Sequence, residues 1–119
     1  MKKTVILDFE LVGFHKWDNA PEQVDFLSYK HRHNFRFRLG YEVNKSDREI
    51  EIFMQEDLVK EYLTECYGSP LHFEGMSCEM ICEDLLIFGK DDGCIWVEVF
   101  EDNRGGARVD LCSYQTKTI

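Results

Sequence analysis

The chain has 119 residues, enough for a single domain (1–119) with a modest core and too few for two. Its hydrophobic fraction of 44% is ordinary for a globular protein, which excludes a disordered chain, and no apolar run approaches the roughly 20 residues a bilayer-spanning helix needs. A formal net charge of −9 opposes approach to nucleic acid and to anionic membranes, so neither is expected as a partner.

Residues 3–14 alternate as a strand does, with Val5, Leu7 and Phe9 on one face and Ile6, Asp8 and Glu10 on the other. The same alternation argues against a signal peptide, and a cytoplasmic location is expected. "HKWDNAPEQVDFLSYK" follows as a long irregular loop, the kind of segment that often carries function in a small domain. Residues 31–44 form the next strand. His31, His33, Phe35, Phe37 and Leu39 share one face, and Arg32, Asn34, Arg36 and Arg38 share the other.

After the polar turn "NKSDRE", the segment "IEIFMQEDLVKEYLTECYG" starts extended and becomes helical. Phe53, Leu58, Tyr62 and Cys66 fall near helical spacing, and Gly68 is the stop. A second helix runs from about Ser77, placed as an N-cap, to Phe88, with Met80, Ile81, Asp84 and Leu85 between. "CIWVEVFE", the turn "DNRGG" and "ARVDLCSY" close the chain as a hairpin. The order is ββααββ with no linker, repeat or low-complexity segment, which indicates an α+β sandwich. The five cysteines are odd in number and form no CxxC pair, a pattern of reduced thiols packed as small apolar residues.

Only four histidines occur, and two of them are one residue apart at the start of the second strand. Residues i and i+2 of a strand point the same way, so His31 and His33 can present two imidazoles to one ion. His15, at the end of the first strand, is the candidate third ligand if the two strands are neighbours. Three imidazoles with a fourth position open is the arrangement of a catalytic Zn2+ site. The bland alternative is three ordinary histidines.

With these residues in this order, the chain resembles the 6-pyruvoyltetrahydropterin synthase and 6-carboxytetrahydropterin synthase family. "LVGFH", ending at His15, is similar to the close of the family's first strand, and "HRHNF", His31 to Phe35, to its HGHN-aromatic opening of the second. "SCEM", Ser77 to Met80, is a weaker match to its Thr-x-Glu-Asn helix start, and "VEVFED" puts Glu101 at its strand-ending glutamate. The resemblance spans nearly the whole chain. It implies a tunnelling fold, a four-stranded antiparallel sheet with two helices on one face, whose sheets join into an oligomeric barrel. It further implies zinc on His15, His31 and His33, a pterin anchored by Glu101, and a homo-oligomer such as a hexamer. A carboxylate suits the anchoring because it accepts two N–H donors at once.

The chain departs from the family at the proton-transfer site. Where the family carries its cysteine, this sequence has Asp25, Phe26 and Leu27, and the nearest cysteine along the chain is Cys66. Asp25 could stand in as a base if it were buried. The family's Asp-His pair is matched by Leu71-His72, so His72 lacks its orienting partner, and the connection from His72 to Ser77 is short. Arg32 replaces the family's middle glycine and should point away from the histidines.

The basic stripe Lys30, Arg32, Arg36 and Arg38 is expected to pair with the many carboxylates, with phosphate or nucleic-acid binding as lesser alternatives. Trp17, Phe26 and Tyr29 either stack on a flat heterocycle or pin the loop to the core. Two functions remain open. One is a zinc-dependent lyase acting on a dihydropterin such as a dihydroneopterin triphosphate-like substrate. The other is a non-catalytic binding protein for a pterin- or purine-like molecule.

Overall fold

A computed structural model describes residues 1–112. Strands β1 (Lys3–His15) and β2 (His31–Val43) pair antiparallel along their whole length, from Lys3 opposite Val43 to His15 opposite His31. Helices α1 (Ile52–Tyr67) and α2 (Cys78–Gly89) are separated by the two-residue strand β3 (Leu71–His72). The hairpin of β4 (Cys94–Glu101) and β5 (Gly105–Asp110) follows. The sheet has five strands in the order β3-β1-β2-β4-β5, not the expected four, because Leu71 and His72 pair in parallel with Gly13 and Phe14. A two-residue strand carries no periodicity that a sequence could display.

Both helices pack on one face of the sheet. Leu7, Phe35, Phe37, Leu39, Val97 and Val99 of that face are fully buried against Val59 and Leu63 of α1 and Ile81, Cys82 and Leu85 of α2. Each contributes about 1.5–3 kcal/mol on burial. The face of α1 differs from the expectation: Phe53 and Leu58 are 74% and 51% exposed, and Cys66 is exposed too. The helix has apolar residues on several sides, and only packing selects the Val59–Leu63 row. Its start is set by Glu51, whose carboxylate caps the Phe53 and Met54 N–H groups. In α2, Ser77 caps the Met80 N–H as expected, although Met80 itself is exposed.

The loop before β2 contains a 3-10 turn, Glu22–Ser28. The β4–β5 turn is shorter than expected, with Gly105 and Gly106 already in β5; residues 113 and 114 of the anticipated second strand lie outside the described residues. The opposite face of the sheet carries ion pairs. Arg36 donates twice to Asp8 at 2.8 and 2.6 Å, and Arg38 pairs with Glu98 at 2.6 Å. Cross-strand pairing is therefore what occupies Arg36 and Arg38.

Candidate metal centre

The inner face of the sheet continues past the helices at one end, and there its side chains become polar. His15, His31, His33 and Glu101 have the same strand parity as the core residues Phe35 and Val99, so all four project from the core face. The β1–β2 register sets His15 opposite His31, and the β2–β4 register sets Glu101 opposite Phe35, diagonal to His33. Gly13 lies opposite His33, and a Cβ there would meet the Phe35 ring at 2.9 Å. The glycine therefore leaves room for the ring that floors the site.

One ligand nitrogen from each of His15, His31 and His33 lies within 4.8 Å of those of the other two, a group that could hold a metal ion. Each Nδ1 faces an oxygen: the Met76 carbonyl at 3.0 Å from His15, the Tyr29 carbonyl at 2.8 Å from His31, and the Asp102 carboxylate at 2.6 Å from His33. An Nδ1–H given to such acceptors leaves Nε2 as the lone-pair side, the outer-shell arrangement typical of metal-binding histidines. The Nε2 atoms of His31 and His33 are buried without a hydrogen-bond partner among the described residues. Buried polar atoms are rarely left so, and a cation is a partner that suits converging lone pairs.

Glu101 points into the same cluster. Its Oε1 lies 3.0 Å from His15 Nε2, and its Oε2 lies 3.5 Å from His33 Nε2, too long for a good hydrogen bond. Burial alone would lower the His15 pKa, but the bonds to Glu101 and the Met76 carbonyl outweigh it, and the net shift is upward. The His15 bond holds the Glu101 carboxyl below the usual range against an opposing burial effect. Asp102 is likewise lowered, by His33 and then by the Asn34 N–H.

A cavity of about 730 Å3 opens beside the cluster, lined among others by Trp17, the three histidines, Cys78 and Glu101. That volume suits a small-molecule ligand. Cys78 is buried at the start of α2 and donates from Sγ to Glu101 Oε1 at 3.4 Å. Burial, and then the negative charge of Glu101, push its thiol pKa well up. Cys78 thus reaches the cavity from α2. The sequence gives no signal for it, nor for Asp102, because both meet the histidines only through the strand register and helix docking.

The other two candidates are not brought to this cavity. Asp25 is exposed in the 3-10 turn and does not line the cavity. His72 pairs with Phe14 and stacks on its ring at 5.3 Å. Phe14 alternates with His15, so within one chain His72 lies on the other face of the sheet. Of the loop aromatics, Trp17 lines the cavity, while Phe26 and Tyr29 are 65% and 77% exposed and do not pin the loop to the core.

No family model matches the chain, and no curated protein matches it. Among solved structures it is similar to uncharacterized protein WS1659 from Wolinella succinogenes, at a TM-score of 0.66 and 12% identity, over 92% of this chain and 98% of that one. At that identity the likeness speaks for the α+β fold alone. Among the described residues no helix is long and apolar enough to cross a membrane.

Proposed function

We propose that this chain is a zinc-dependent lyase of the 6-pyruvoyl/6-carboxytetrahydropterin synthase type, acting on a dihydropterin derivative. The observation that carries this reading is the convergence of three imidazoles whose Nδ1 atoms are all held by oxygen acceptors, at the wall of a ligand-sized cavity. His15, His31 and His33 would hold the ion, and nitrogen ligands beside an open cavity suit Zn2+. Held there, the ion would supply Lewis-acid polarisation of a carbonyl or hydroxyl oxygen. Glu101 accepts the amino and ring N–H donors of the heterocycle, as the family resemblance implies. Cys78, whose thiol donates to Glu101 Oε1 at 3.4 Å, helps position that carboxylate. Asp25 and His72 take no part within one chain.

Among the described residues β5 is an edge strand, which supports a homo-oligomer in which sheets of several subunits join. Cys66, Cys78, Cys82 and Cys94 form no disulfide, which fits a reducing cytoplasm. A second reading, a non-catalytic binder of a pterin- or purine-like molecule, is favoured by the exposure of Asp25 outside the cavity.

Zinc content of the purified protein, followed by turnover of a dihydroneopterin triphosphate-like substrate, tests the choice. One zinc per chain, lost in His31→Ala and His33→Ala, with turnover lost together with the metal and kept in Asp25→Ala, is the expected result. Metal-loaded protein that binds the heterocycle without turning it over would establish the binding-protein reading instead. Absence of metal after zinc loading would end the lyase reading.

A further inference from the structure

Glu101 is placed to do more than anchor a heterocycle. A neutral imidazole has one N–H. When His15 gives that proton to the Met76 carbonyl, its Nε2 lone pair faces the Glu101 Oε1 atom at 3.0 Å. Two acceptors at that distance are held together by a proton or by a cation that both can bind. Nε2 atoms of His31 and His33, buried without hydrogen-bond partners, converge on the same region, which favours the cation.

Glu101 Oε1 lies 3.0 Å from His15 Nε2 and Oε2 lies 3.5 Å from His33 Nε2, so the carboxylate sits beside two of the three candidate ligand nitrogens. The backbone of Glu101 is fixed at the end of β4 opposite the buried Phe35, and the Cys78 thiol donates weakly to Oε1 at 3.4 Å.

We propose that Glu101 is the fourth protein ligand of the resting metal site, making a centre of three histidines and one glutamate with no open position until a substrate oxygen displaces the carboxylate. This rests on the reading of His15, His31 and His33 as metal ligands. Its consequence is a coupling. The carboxylate that leaves the metal becomes free to accept the N–H groups of the incoming heterocycle, so the ion is exposed only when the ligand is there to receive Glu101. The Glu101 side chain is 32% exposed beside the cavity, which leaves it room to swing.

The test is binding of Zn2+, measured by competition with a chromophoric chelator, together with the visible spectrum of the Co2+ form. Wild type, Glu101→Gln, Glu101→Ala and His31→Ala are compared, with far-UV circular dichroism to confirm folding. The expected result is one metal per chain in wild type and in both Glu101 variants. Zn2+ binds at least about tenfold more weakly in Glu101→Ala, and the Co2+ spectrum of that variant changes as water replaces the carboxylate. Glu101 variants with wild-type affinity and an unchanged Co2+ spectrum would overturn the proposal while leaving the histidine site intact. Metal binding that survives His31→Ala unchanged would overturn the histidine site itself, and the proposal with it.

Discussion

His15 and His31 face each other as a registered cross-strand pair, the last residue of β1 opposite the first of β2, with ring centroids 4.6 Å apart. Because side chains alternate with a period of two, a slip of one residue in this pairing would turn His31 to the other face. The register is held by the buried residues further along the same strands, among them Leu7 opposite Leu39 and Phe9 opposite Phe37. Core packing and site geometry are thus one property of the sheet.

Asp102 holds the His33 ring through Nδ1 and also accepts the Asn34 N–H at 2.8 Å. Its backbone is left-handed, with φ of 52°, so Asp102→Gly removes the carboxylate without straining the turn. Zn2+ affinity should fall about 10–100-fold in that variant, with the melting transition little changed. Asp102→Asn should lie between the two. Equal affinity in all three proteins would show that Asp102 does not orient the ligand.

In metal-free protein, His15 and Glu101 should give stability a defined pH window. The folded pKa of Glu101 lies below its ordinary 4.5, so its contribution is present above that value and is lost as pH falls through the folded pKa. The folded pKa of His15 lies above its ordinary 6.5, so its contribution is present below that value and is lost as pH rises through the folded pKa. Urea unfolding in the presence of a chelator should therefore show greater stability at about pH 5.5 than at about pH 8. Glu101→Gln should flatten this dependence. Zinc-loaded protein should gain stability as pH rises, since the ion competes with protons for the imidazoles.

Gly40 sits opposite Trp96, and a Cβ at Gly40 would lie 2.2 Å from the indole Cε2. The ring is also held by Arg108, whose guanidinium carbon is 4.4 Å from its centroid. Gly40→Ala must push the indole out, at a cost of about 1–3 kcal/mol. Tryptophan fluorescence and chemical denaturation would read both effects. Unchanged stability would mean that the indole relocates freely.

The two long strands, the second helix with its Ser77 cap, the closing hairpin and the shared face of His31 and His33 were all legible in the sequence. Each is a local matter: period-two alternation, a capping hydroxyl and turn residues act over a few positions along the chain. The buried side of α1 was not legible, because a helix with apolar residues on several sides is oriented only by what it packs against. Strand β3, which exists only as a partner to Gly13 and Phe14, was equally hidden. Nor could a linear reading place Asp25 and His72 away from the cavity, or bring Cys78 and Asp102 to residues far from them in the chain. The sequence by itself determined which residue types could bind a metal and which of them shared a strand face. Tertiary structure alone decided which residues support them, because registers and helix docking bring distant side chains to within a few ångströms.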